Sequence, residues 1–120
     1  MAKALASLRI LVVEDNFLAA EVVREVPEGC GCTVIGPVGR LAEGVRLAQD
    51  EQLDGAVLDV NLNGEWCFPI ANALRDRAVP FVFLTGYGDA TVLPHDLRSA
   101  RRLGKPILGS QLIEVLIEII

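Results

Sequence analysis

The feature that most constrains this 120-residue chain is an alternation of two apolar patterns. Short runs at 8–13, 33–35, 55–58 and 81–84 are rich in β-branched or aromatic residues and lack strict polar–apolar alternation. Parallel strands covered on both faces read this way. Between the runs, apolar residues return at helical spacing. Asn16 can cap a helix carrying Leu18, Val22 and Val26 every four residues, ended by Pro27 and Gly29. Residues 41–49 put Leu41, Val45 and Ala48 on one face, and 66–77 bring Ile70, Ala71 and Leu74 together, with Trp66 and Phe68 as core around that helix. Ser110 can cap a last helix running to Ile120. A fifth strand is weakly indicated before Lys105, because Ser-Ala-Arg-Arg-Leu is poor strand material. Strand and helix joined by short connections predict an α/β domain: a five-stranded parallel sheet, doubly wound, with right-handed crossovers. The whole of 1–120 reads as a single domain.

Composition narrows the function classes. With 52% hydrophobic and 22% charged residues the chain is not a disordered tail. A net charge of −5 argues against non-specific nucleic-acid binding, which needs a positive field. The apolar run at 10–13 is cut off by Glu14 and Asp15, and the final LIEVLIEII carries Glu114 and Glu118, so neither suits a signal core or a membrane span. A cytoplasmic location is expected, with no membrane partner. Three cysteines, an odd number, suit a reducing compartment. Cys30-Gly-Cys32 lacks the CxxC spacing, and Cys67 and His95 alone cannot complete a metal site. The thiols read as reduced and structural, and His95, between Pro94 and Asp96, as an exposed loop residue.

In an open parallel sheet, ligands bind outside the carboxyl ends of the strands. The first strand ends in Glu14-Asp15, the third in Asp59, the fourth in Thr85 and the fifth segment in Lys105. Three carboxylates side by side repel one another. Mg²⁺ resolves the conflict, since it takes a few carboxylates, waters and phosphate oxygens. A lysine supplies a mobile positive point for a second anion, and a threonine hydroxyl can bond that same anion. The set is complementary to a phosphoryl group arriving at a carboxylate, where catalysis is mostly positioning and charge neutralisation. A carboxylate can itself be the nucleophile and form an aspartyl-phosphate.

By these residues the chain resembles the receiver domain of bacterial two-component response regulators. The acidic pair of VVEDN, Asp59 in AVLDVNLNGE, Thr85 in FLTGYG and the Lys-Pro of GKPI match that family in order and spacing. The resemblance covers the chain from Leu8 to the last helix and implies the flavodoxin-like (βα)5 strand order. It implies Asp59 as phosphoacceptor, and Glu14, Asp15 and Asp59 as Mg²⁺ ligands joined by the backbone carbonyl of Asn61. It implies Thr85 as the hydroxyl that swings onto the phosphoryl oxygen, Lys105 as its charge partner, and a Lys105-Pro106 bond that is commonly cis. A histidine kinase or a phosphotransfer protein is then the expected donor. PFVFLTGYG is similar to the signature of the FATGUY single-domain receivers, with Leu84 where alanine is usual. Arg102 stands where most receivers carry the aromatic of the phosphorylation switch; Tyr87 is the substitute candidate.

The leading expectation is therefore a switch, not an enzyme beyond assisting its own phosphorylation and dephosphorylation, that signals through protein contacts. A receiver-fold adaptor or kinase inhibitor that needs no phosphate is the alternative. A metal-dependent phosphatase is disfavoured, because Asn61 stands where a second catalytic acid would be needed. The last helix is apolar on more than one face, through Leu112, Ile113, Val115, Leu116, Ile117, Ile119 and Ile120, which would suit a homodimer contact. At 86–98 two early glycines and Pro94 predict a short, poorly formed fourth helix or a mobile loop that serves as partner surface.

Overall fold

A computed structural model describes residues 5–86 and 88–120. Five parallel strands form the sheet: β1 (Arg9–Val13), β2 (Thr33–Val38), β3 (Gly55–Asp59), β6 (Phe81–Thr85) and β7 (Arg102–Gly104), in the order β2-β1-β3-β6-β7. A two-stranded ribbon, β4 (Asn61–Leu62) and β5 (Glu65–Trp66), turns at Asn63-Gly64. Both turn residues have positive φ, the backbone a tight Asn-Gly hairpin requires. The helices are α1 (Phe17–Gly29), α2 (Leu41–Asp50), α3 (Phe68–Asp76) and α4 (Gly109–Ile119).

Alternate side chains of each central strand serve two cores. Leu11, Val13, Ala56, Leu58 and Phe83 meet Ala48 of α2 and Ile70, Ala71 and Leu74 of α3 on one face. Ile10, Val12, Val57, Val82 and Leu84 meet Val23 of α1 and Leu112, Val115 and Leu116 of α4 on the other. This two-sided burial is why the strands read as unbroken apolar runs. The predicted fold class holds, including its strand order.

Several local expectations need correction. The α1 face is turned: Ala20, Val23 and Pro27 are buried, while Leu18 is 75% and Val22 51% exposed. FLAAEVVREVPEG is apolar on more than one stripe, so its spacing leaves the rotational phase open, and packing on the sheet and α4 chooses it. Pro27 sits inside the helix, which continues to Gly29. The third helix begins at Phe68; Trp66 lies in β5, 39% exposed and stacked on Phe68. Ser110 is not a cap, because the extended residue before α4 is Leu108 and no side chain bonds the helix end. β2 runs three residues past Ile35, through Gly36 and Pro37. Gly36 has φ +101, and a Cβ there would stand 2.8 Å from the Val12 carbonyl oxygen, so only glycine fits. α4 buries Leu112, Val115 and Leu116, while Ile117, and Ile120 just past the helix, are exposed.

No α-helix forms between β6 and β7 among the described residues. Asp89–Val92 and His95–Leu97 are two short 3-10 turns. The expectation of a poorly formed helix is met. Leu93 and Leu97 are 2% exposed and pack into the α2–α3 core, and Arg75 pairs with Asp96 at 2.9 Å. Tyr87 lies outside the described residues.

Candidate functional site

The strand order reverses beside β1, which β2 flanks on one side and β3 on the other. Such a switch point opens a crevice at the carboxyl ends of the strands. Val13 pairs with Leu58, so Glu14 and Asp59 leave the sheet side by side. Asp15 stands exposed at the mouth. Carboxylate oxygens of Glu14, Asp15 and Asp59 all lie within 4.8 Å of one another. Asn16 accepts the Ala19 N–H at 2.9 Å as the cap of α1, and its own N–H donates to Glu14 Oε2 at 3.1 Å. That turn fixes the acidic pair.

On the other side, the Lys105 N–H donates to the Thr85 carbonyl at 2.8 Å, holding the lysine next to the end of β6. Its ammonium reaches back across the crevice to Glu14 Oε1 at 2.9 Å and Asp59 Oδ2 at 3.1 Å. The Lys105–Pro106 bond is cis. The Thr85 hydroxyl donates to the Leu103 carbonyl at 3.3 Å. Asn61 donates its N–H to Asp59 Oδ1 at 3.3 Å and lines the cleft.

Glu14 and Asp59 are 3% and 2% exposed, and burial is the largest single influence on each carboxyl. Burial pushes the Asp59 carboxyl up to about 8, helped by the hydrogen bond and charge of Glu14 and opposed by Lys105. For Glu14 burial is again the largest influence and acts upward. It is outweighed by hydrogen bonds from Asp59, Lys105 and Asn16, so Glu14 stays below its usual range. Burial works against the charge of Lys105, but Glu14 and Asp59 overcome it and raise that ammonium. The upward shift of Asp59 thus relieves the repulsion between the buried Glu14 and Asp59 carboxylates.

The chain matches no protein-family model. It is 33% identical to SdrG from Sphingomonas melonis Fr1, covering 94% of this chain and 98% of that one with a TM-score of 0.81. It belongs to the response-regulator receiver family. The receiver domain of sensor histidine kinase PA1611 from Pseudomonas aeruginosa PAO1 is 26% identical over 95% of this chain and 98% of that one, with a TM-score of 0.76. That domain holds a magnesium ion in its active-site cleft. The phyllosphere-induced regulator PhyR of Methylorubrum extorquens is 28% identical over 100 residues, 81% of this chain; the chain spans 38% of that regulator's length.

The donor set of this receiver fits the same cation. Glu14 Oε1 is buried and has the Lys105 ammonium close by, but it accepts no well-directed hydrogen bond. A hard divalent ion would use the Glu14 carboxylate, together with Asp15 and Asp59.

Two features were missed in the sequence. Asp89 lines the cleft with Asp59 and Lys105, and its Oδ2 accepts the Gly86 N–H at 2.8 Å. An acidic residue ending Gly-Tyr-Gly-Asp, directly after a site threonine, was the available signal. The second is an apolar groove beside Lys105, lined by Val22, Val23, Pro106 and Ile107, on a helix that also leaves Phe17 and Leu18 75% exposed. The turned phase of α1 hid it. Cys30, Cys32 and Cys67 are buried free thiols, and burial, aided by the Asp59 charge, pushes Cys67 up to about 12, which keeps it protonated and inert. His95 is exposed, as expected.

Proposed function

We propose that this receiver is a phosphorylation-controlled, Mg²⁺-dependent switch in which Asp59 accepts a phosphoryl group from a phosphohistidine of a sensor kinase or phosphotransfer protein. The observation that carries the reading is the Lys105 ammonium, 2.9 Å from Glu14 and 3.1 Å from Asp59, beside a third carboxylate. An Asp59 oxygen attacks phosphorus, the P–N bond breaks, and its electrons leave on the imidazole nitrogen. Lys105 then exchanges its contact with the Asp59 carboxylate for one with a phosphoryl oxygen, and the Thr85 hydroxyl can leave Leu103 for another. Glu14, Asp15, Asp59 and the Asn61 carbonyl would hold Mg²⁺, which when bound would supply charge neutralisation and favour the ionised, nucleophilic form of Asp59.

The apolar groove of Val22, Val23, Pro106 and Ile107 reaches Glu14 and Lys105 and suits an amphipathic helix carrying the donor histidine. With that partner the receiver acts in the cytoplasm as a switch that catalyses nothing beyond its own phosphorylation and dephosphorylation. Incubating the protein with phosphorylated kinase and Mg²⁺ tests the reading. The expected product is an acid-labile adduct with the mass of one phosphate on Asp59. An adduct elsewhere, or none, overturns it.

A second reading, a kinase-regulating adaptor that needs no phosphate, is supported by Arg102. Its guanidinium bonds the Arg98 carbonyl at 3.0 Å, where an ordinary receiver has its switch aromatic. Under that reading Asp59→Asn modulates kinase activity as well as wild type does.

A further inference from the structure

We propose that Asp89 is a resident anion that holds the phosphoryl-binding edge of the cleft closed, and that phosphorylation of Asp59 displaces it. The inference rests on the phosphoacceptor reading of Asp59 and assigns to Asp89 a positioning role.

Asp89 begins the 3-10 turn after β6, and its Oδ2 accepts the Gly86 N–H at 2.8 Å. Gly86 follows Thr85, and β6 lies directly beside β3, with Asp59 paired to Leu84. Asp89 also lines the cleft that Asp59 and Lys105 line. The Gly86 amide is therefore a backbone donor at the strand end nearest the acceptor, the kind of fixed dipole that stabilises a phosphoryl oxygen. A carboxylate already occupies it.

The neighbouring donors are engaged in the same way. Lys105 is held by Glu14 and Asp59, and the Thr85 hydroxyl by the Leu103 carbonyl. Asp89 differs from Glu14 and Asp59 in being half-buried on a short turn and not locked at the end of a central strand, and its carboxylate is one that a phosphoryl group on Asp59 would repel. Gly86 permits the arrangement: a Cβ at that position would stand 3.2 Å from Asp89 Oδ2, tighter than ordinary packing. Phosphorylation thus expels Asp89, frees the Gly86 N–H for the phosphoryl oxygen and loosens the turn at Asp89–Val92. The expelled turn couples the chemistry to the surface between β6 and β7, which Arg102 cannot do as an aromatic would.

Three variants test this against wild type. Asp89→Asn removes the charge and keeps the shape, Asp89→Ala removes the acceptor, and Gly86→Ala crowds the carboxylate away from the amide. With acetyl phosphate and Mg²⁺, all three should phosphorylate about threefold faster or more, and Asp89→Asn should lose part of the wild-type salt dependence. Without any phosphodonor, the Gly86 amide should exchange with solvent slowly in wild type and fast in Asp89→Ala. Mg²⁺ affinity should stay within about twofold of wild type in Asp89→Asn, because the carboxylate is turned to Gly86 and not to the cation. Unchanged rates and salt dependence overturn the proposal, as does equal Gly86 exchange in wild type and Asp89→Ala. A fall in Mg²⁺ affinity of about tenfold or more, the size that loss of even an outer-shell partner causes, would tie Asp89 to the metal and overturn it too. If wild type takes up no phosphoryl group while Gly86 exchange responds as expected, the phosphoacceptor reading fails, and with it the displacement step, but the Asp89–Gly86 contact stands.

Discussion

On the acidic side of the cleft, Ile10 to Val13 of β1 and Ala56 to Leu58 of β3 are completely buried, and the two strands pair residue for residue. On the opposite side, β7 is three residues long, exposed at Arg102 and Gly104, and reached through two 3-10 turns in place of a helix. Those turns are held by Leu93 and Leu97 in the core, by the Arg75–Asp96 pair, and by guanidinium contacts from Arg98 and Arg102 to backbone carbonyls. The first side keeps carboxylates at fixed distances, as a metal site needs. The second has few apolar anchors and many exposed polar ones, the composition of a region that opens locally at low cost. A switch needs both: one wall that does not move, and one with two arrangements close in free energy.

The largest effect is expected at the rigid wall. Asp59→Asn should abolish phosphoryl uptake, read by intact mass, while melting as a folded protein. If the variant gains the mass of one phosphate as wild type does, the rigid wall does not hold the acceptor. Leu58→Ala, one strand position before Asp59 and fully buried, should cost about 3 kcal/mol of global stability by denaturant unfolding. Leu97→Ala removes a buried leucine from the other wall, and should appear mainly as faster amide exchange across 88–97, with a smaller change in the global midpoint. An equal global loss in the two variants would mean that the walls unfold as one unit.

The pH dependence sharpens the same contrast. The Asp59 carboxyl sits at about 8 in the metal-free fold against 3.8 when free, so the folded state holds a proton that the unfolded chain releases. Its stabilising contribution is present below pH 4 and is lost as pH rises towards 8, at most about 1.4 kcal/mol per pH unit. Millimolar Mg²⁺ should flatten that slope and raise the melting temperature, releasing a proton on binding near neutral pH. A melting temperature indifferent to Mg²⁺ from pH 5 to 8 would remove the cation from this site. The smallest effect is expected on α1. Leu18→Ser changes an exposed side chain and should shift stability by no more than about 0.5 kcal/mol, yet slow phosphotransfer from the kinase. Wild-type transfer rates would free the α1 patch of any docking role.

The sequence by itself determined the layered α/β architecture, because strands buried on both faces and helices with one packed stripe leave different periodicities. It also pointed to Glu14, Asp15, Asp59, Thr85 and Lys105 as site candidates, since each of these residues stands at or just beyond a strand end, and the receiver resemblance added Asn61. It foretold a short, poorly formed segment after β6 through Gly86, Gly88 and Pro94, which act on the local backbone, and the described residues form two 3-10 turns there. Tertiary structure decided the rest. The phase of α1 depended on what the sheet and α4 offered it, so Leu18 and Val22 became surface and Ala20 and Val23 core. Trp66 was moved from core to ribbon by the Asn63-Gly64 turn, and the strand at Arg102–Gly104, poor by propensity, exists because β6 offers it a parallel partner. The bond between Asp89 and Gly86 links groups three residues apart in sequence. Only the cleft around them gives it meaning, because it is the strand order that carries that turn to the edge of the Asp59 site.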